Sequence, residues 1–220
     1  RQSNTGDPVV RSSRDFCLTI QLTKTALSWC LGRGSLAIRG AKRKPWLEIR
    51  RDERERPYLS YQLFSLRRAA RGPSDDLRDT LTTKGFYDTE RIRFTAQGLT
   101  AAYQLLYPRD ERLISPQVLS IAGLQGLTAL WLDQGKINAN KRGVIRGKYT
   151  TEELNNIKEA FEAAGVNVGY SPWSSGLLVF DEAQTRKLKQ VLTPYIHRTM
   201  QSKLMLRKPR TLNGSQSSAG

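Results

Sequence analysis

"CLGRGSL" at residues 30–36 and "WLDQGKI" at residues 131–137 share one outline. Large apolar residues come first, then two small or polar residues, a glycine and a strand-like start. Each reads as a helix C-terminus running straight into a β-strand. The two glycines, Gly34 and Gly135, lie 101 residues apart. Each junction therefore opens a segment about half the chain long, and likeness between those segments decides the fold.

Outward from the first junction, "LTKTALSWCLG" is helical and "SLAIRGAKRKPWLEIRRDE" is a basic hairpin, its second strand starting near Lys44-Pro45. "RPYLSYQLFSLRRAARG" is a helix ended by Gly72 before Pro73. "KGFYDTERIRFT" suggests two short strands, and "AQGLTAAYQLLYP" a helix stopped by Pro108. From the second junction the plan repeats. "SPQVLSIAGLQGLTALWLDQG" is one helix, and "KINANKRGVIRGKY" is strand-like and basic. "TTEELNNIKEAFEAAG" is a helix with Thr150 and Glu153 in capping-box spacing and Gly165 as its C′ residue. "VNVGYSPWSSGLLVF" is a hairpin, and "DEAQTRKLKQVLTPYI" a closing helix with Asp181 as N-cap.

Both halves read helix, two strands, helix, two strands, helix: an α+β chain built as a tandem αββαββα repeat. The expected organisation is a basic N-terminal extension (1–14), a first half (15–110), a second half (111–206) and a basic tail (207–220). Ser28 and Gly32 match Ala129 and Asp133 in the two copies. These mostly small residues at i, i+4 spacing let two helices approach closely.

Composition narrows the function. The chain carries 36 Lys and Arg against 20 Asp and Glu, a net charge of +16 in 220 residues. An excess of that size is the electrostatic footprint of a nucleic-acid binder. Cys17 and Cys30 supply neither a disulfide scaffold nor a zinc cluster. The single histidine, His197, argues against a Ser-His-Asp triad and His-rich metal sites. No apolar run reaches the roughly 18 residues of a membrane span. The opening "RQSNTGDPVVRSSR" fits the remnant of an organellar presequence. On that reading the expected location is an organelle, the mitochondrion ahead of the chloroplast; a chain trimmed by hand would begin the same way.

Four stretches, in order, resemble the single-chain, two-repeat LAGLIDADG homing endonucleases. "LSWCLGRGSL" and "LTALWLDQGKI" resemble the two signature helices, "YTTEELNNIKEAFEAAGVNV" the helix after the second saddle strand, and "LTPYIHRTMQSKL" the closing segment. The resemblance covers most of residues 15–206. It implies a pseudo-twofold pair of halves, signature helices packed at the centre and saddle-shaped sheets over a nucleic-acid groove. In active members the last acid of each signature helix holds Mg²⁺ beside a scissile phosphate. Here those positions are Arg33 and Gln134. Arginine stays charged and repels a metal ion, and glutamine offers one neutral carbonyl. Asp133, one helical step away, reads as a helix-end residue bonded locally rather than a ligand. The expectation is therefore no catalytic residue, no metal and no cofactor.

What remains is a binding surface. Its candidates are Arg33, Arg39, Lys42, Arg43, Lys44 and Arg50 in the first half. Lys136, Lys141, Arg142, Arg146 and Lys148 belong to the second, with Lys203 in the closing motif. "RRDERER" reads as a solvated face apart from Arg50. Trp46 and Trp173, near predicted turns, are better stacking candidates, though packing ranks ahead for both, whereas Tyr58, Tyr61 and Phe64 sit at helix spacing as core. The expected function is a cleavage-dead binder of structured RNA, ribosome-associated or maturase-like in intron splicing. A DNA-binding protein ranks second and an active endonuclease with relocated acids third. RNA is the partner ahead of DNA, with no membrane and no obligate homodimer.

Overall fold

The computed structural model describes residues 13–38, 44–70, 74–82, 88–171 and 176–205. The first half comprises α1 (Ser13–Leu31), β1 (Gly34–Ile38), β2 (Pro45–Asp52), α2 (Arg56–Ala70), β3 (Ser74–Thr82), β4 (Asp88–Ala96) and α3 (Leu99–Leu106). The second comprises α4 (Pro116–Gln134), β5 (Gly135–Ile137), β6 (Gly143–Arg146), α5 (Thr151–Ala163), β7 (Gly169–Tyr170), β8 (Leu177–Phe180) and α6 (Glu182–Leu192). A 3-10 helix, Arg198–Leu204, closes the described chain. Each half folds into one four-stranded antiparallel sheet, ordered β1-β2-β4-β3 and β5-β6-β8-β7. The element order is the tandem αββαββα repeat read from the sequence.

The repeated junction has a steric cause. A Cβ on Gly34 would stand 2.7 Å from the Trp29 carbonyl oxygen, and one on Gly135 would stand 2.5 Å from that of Trp131. Only a residue without a side chain lets each strand leave its helix so abruptly.

α1 and α4 pack together between the sheets, with α2 and α3 completing one side and α5 and α6 the other. Buried residues from both halves, among them Leu27, Leu31, Leu47, Phe94, Leu130, Trp131, Phe161 and Phe180, join in one core. The capping box of α5 forms as expected: Glu153 N–H donates to Thr150 Oγ1 at 3.1 Å, and Thr150 N–H to Glu153 Oε2 at 3.0 Å. The Asp181 side chain caps α6 by accepting from Gln184 N–H at 2.7 Å, and Gly165 follows α5 at φ 80°.

Two readings need correction. The helix 116–134 is broken at Gly123, whose φ of 58° and ψ of −153° lie outside helical space. The strand pair expected inside "KGFYDTERIRFT" is instead Ser74–Thr82 with Asp88–Ala96. "SDDLRDTLT" lacks apolar alternation, so its strand arises from pairing with β4 rather than from propensity.

Candidate nucleic-acid interface

The two junctions meet at the end of the helix pair. A Cβ on Gly32 would collide with the Asp133 carboxylate and lie 3.0 Å from the Ala129 carbonyl. Ser28 Oγ lies 2.8 Å from Lys24 O on its own helix and 3.3 Å from Ala122 O on the other. Of the residues matched in sequence, Gly32 faces Ala129 and Asp133 while Ser28 faces Ala122, and these approaches bring the helix ends close enough to share side chains.

Asp133 carries that sharing. Its side chain is 1% exposed, and it ion-pairs with Arg51, whose side chain is 0% exposed. Arg51 Nη2 donates to Oδ2 at 2.9 Å, Nη1 bonds Oδ1, and Arg33 N–H donates to Oδ2 at 2.8 Å. Arg51 Nε donates to Gln62 Oε1 at 3.2 Å, Nη1 lies 3.5 Å from Glu55 Oε2, and the guanidinium covers the Tyr58 ring at 4.8 Å. Burial works to discharge Arg51, but the Asp133 charge and hydrogen bonds outweigh it and raise its pKa. A two-pronged charged pair of this kind is geometrically specific and strongly bonded.

Two expectations fail here. Asp133 is bonded across to the first half, not locally, and Arg51 in "RRDERER" is buried rather than solvated. The cause is strand parity: residues 47, 49 and 51 share the helix-facing side of β2, where a guanidinium persists only with an ionic partner. Counting along β2 from Leu47 would have found it.

Arg33 keeps 39% of its side chain exposed and reaches both acids, at 3.5 Å from Glu55 Oε2 and 3.8 Å from Asp133 Oδ1. Lys203 Nζ also approaches Glu55, at 3.8 Å from Oε1. Gln134 ends α4 half-buried. Mg²⁺ needs oxygen ligands free of competing cations. Both Asp133 oxygens are occupied, Glu55 is shared by three cations, and Arg33 adds positive charge. These residues do not fit a divalent ion, and among the described residues no three His, Cys, Asp or Glu side chains gather elsewhere as a metal-binding group.

The face of the first sheet turned away from the helices carries Trp46, Glu48 and Arg50 on β2. Opposite them on β4 stand Thr95, Arg93 and Arg91. Glu48 is the hub: Arg50 Nε donates to Oε1 at 2.7 Å and Arg93 Nε to Oε2 at 2.8 Å, while Arg91 Nη1 lies 3.9 Å from Oε2. Burial would raise the Glu48 carboxyl, but hydrogen bonds and charge from Arg93 and Arg50 outweigh it and hold its pKa below the ordinary value. The Arg93 guanidinium also covers the Trp46 ring at 5.7 Å. A cleft of about 400 Å³ runs from this face to the junction, between Arg33, Ser35, Arg50 and Thr89. Arg91 and Arg93 were missed in the sequence, although the alternation in "TERIRFT" places both on one side.

Of the other candidates, Lys44 is exposed just before β2, and Lys136 and Arg146 lie exposed on β5 and β6. Lys148 and Arg142 are exposed in loops. Lys141, at φ 58°, is turned to an ion pair with Glu182 at 3.3 Å. Arg39, Lys42, Arg43 and Trp173 lie outside the described residues, as do residues 1–12 and 206–220. Tyr58 is buried and Tyr61 half-buried as expected, but Phe64 is 61% exposed, on the outer side of α2.

Two αββαββα halves, joined by a closely packed helix pair whose ends run directly into strands, define the LAGLIDADG homing-endonuclease fold in its single-chain form. The I-WcaI homing endonuclease, in a structure bound to its DNA recognition sequence, matches with a TM-score of 0.65 at 13% identity, over 93% of this chain and 97% of that one. Mesophilic variants of the homing endonuclease I-DmoI match at 0.54 and 14% identity, over 82% and 98%. I-DmoI in complex with DNA and Ca matches at 0.53 and 14%, over 79% and 90%. No protein-family model and no curated protein matches the sequence.

Proposed function

We propose that this protein binds structured RNA without cutting it, as a ribosome-associated or splicing factor of an organelle. One observation carries the loss of cutting: where the family resemblance places two metal-holding acids, this chain has Arg33 and Gln134. The neighbouring Asp133 is committed to Arg51. A guanidinium so placed attracts a phosphate and repels the divalent ion that would activate water for attack. Binding rests on the net charge of +16 and on the open faces of both sheets.

The two faces are unequal in length. β2, β3 and β4 span 8, 9 and 9 residues, but β6, β7 and β8 only 4, 2 and 4. At about 3.3 Å per residue, these three strands of the second sheet are at most half as long as their counterparts in the first. Two unequal faces suit a partner whose two halves differ, which an irregular RNA provides. The DNA-binding reading stays second, supported by the DNA-bound structures of I-WcaI and I-DmoI.

The test has three arms. Plasmid incubated with Mg²⁺ should remain intact, and specific double-strand cuts would overturn the non-cleaving reading. Cross-linking from cells should recover RNA, and recovery of DNA alone would transfer the function to the second reading. Sedimentation with ribosomes or with unspliced intron RNA then separates the two RNA roles.

A further inference from the structure

The arginines on the open face of the first sheet are arranged for more than charge. A surface built only to attract phosphate gains nothing from a carboxylate at its centre. Glu48 nevertheless occupies that centre, with its side chain 11% exposed and arginines on several sides. Its charge weakens the pull on any nearby phosphate. It leaves intact the attraction of a guanidinium for a neutral pair of acceptors, which depends on fork geometry rather than net charge.

We infer that Glu48 is a positioning residue that aims Arg93 and Arg50 at the acceptor edge of an accessible guanine in structured RNA. The inference rests on the RNA-binding reading above. Glu48 takes the Nε–H of Arg93, and the Trp46 ring lies beneath the guanidinium. The terminal nitrogens of Arg93 keep donors that Glu48 does not use. Two N–H groups side by side match the O6 and N7 acceptors of guanine. Arg50 is held through both Nε, at 2.7 Å, and Nη2, at 2.5 Å, to the same Glu48 oxygen. It flanks Arg93 with its side chain 60% exposed. A base reached this way must be unpaired or bulged, because the deep groove of an RNA duplex does not admit side chains.

The experiment is selection from a randomised RNA pool by the full chain, run beside Arg93→Lys and Glu48→Gln, with a randomised duplex DNA pool in parallel. Wild type should enrich guanine at a fixed position of a loop or bulge. Arg93→Lys keeps the charge but loses the fork. It should bind the enriched RNA about tenfold more weakly, a larger loss than the one it shows on the unselected pool. Glu48→Gln should bind the unselected pool more tightly and lose the guanine preference. Identical enriched sequences from all three proteins would overturn the inference, and so would enrichment from duplex DNA alone. Salt-dependent RNA binding by wild type without guanine enrichment would overturn it while leaving RNA binding intact. No binding to either pool would remove the function itself. Thermal unfolding of each variant checks that altered binding is not altered folding.

Discussion

At the scale of single residues, charge is used in two ways that look alike in sequence. Arg50 and Arg51 are adjacent, yet one lies on the open face and the other is sealed against Asp133. Removing one partner of a sealed pair strands the other charge in a poor solvent. Arg51→Met should therefore cost about 3–5 kcal/mol, read as a lower midpoint in urea. Adding Asp133→Leu should recover most of that loss, because neither charge of the pair is then left without the other. An additive double variant would mean that the two side chains act independently. Glu48 supplies a pH signature. Its folded pKa is held below the ordinary 4.5, so its ionised form stabilises the fold above that pH. The contribution drains away as pH falls through the depressed folded value. The stability advantage of wild type over Glu48→Gln should be full at neutral pH and shrink below about pH 4.5. Denaturant titrations of both proteins from pH 3 to 7 check this, and a constant difference would remove the ion-pair account.

At the scale of elements, the helix pair and its exits were legible because sterics leave their mark on residue type. The repeated glycine, the small residues at matched positions and the caps of α5 and α6 each name a local geometry. The site was legible only in part. Parity along β2 and β4 settles which arginines face outward, but that count needs strand boundaries, and the β3 boundary leaves no apolar pattern to follow. The partner of Asp133 was not readable at all: Arg51 lies 82 residues away, and only the packed fold joins them. The break at Gly123 escaped for a different reason. A lone glycine in an apolar helix carries no sign of its φ. That conformation makes a test. A Cβ at Gly123 meets nothing within 4 Å, so Gly123→Ala should destabilise through backbone strain alone, by about 1–3 kcal/mol. Gly32→Ala should destabilise through collision with Asp133 and the Ala129 carbonyl. In an Asp133→Ser background, itself destabilised by stranding Arg51, the additional cost of Gly32→Ala should be smaller than in wild type, and no second change should relieve Gly123→Ala. Relief of Gly123→Ala by a neighbouring truncation would show that space, not conformation, sets that position.

At the scale of the whole molecule, the two halves keep one plan and divide the work. The first sheet is long, and its open face holds arginines around a carboxylate. The second is short, and its open face sets Lys136 and Arg146 among Val144, Leu177 and Val179, with no acid on these strands. Charge without a pinning partner grips phosphate in any sequence, because each neutralised phosphate releases bound counterions. Neutralising Lys136 and Arg146 together should therefore weaken binding to every RNA by a similar factor. It should also flatten the salt dependence by about 0.7 logarithmic units per charge removed. Neutralising Arg50 and Arg93 should flatten it less than their number implies, since Glu48 already offsets part of their charge, and should act unequally on different RNAs. Filter-binding titrations at several salt concentrations, with one selected and one unrelated RNA, separate the two patterns. Equal slopes and equal discrimination in both double variants would mean that the halves bind alike, and that the long first sheet has no special part in recognition.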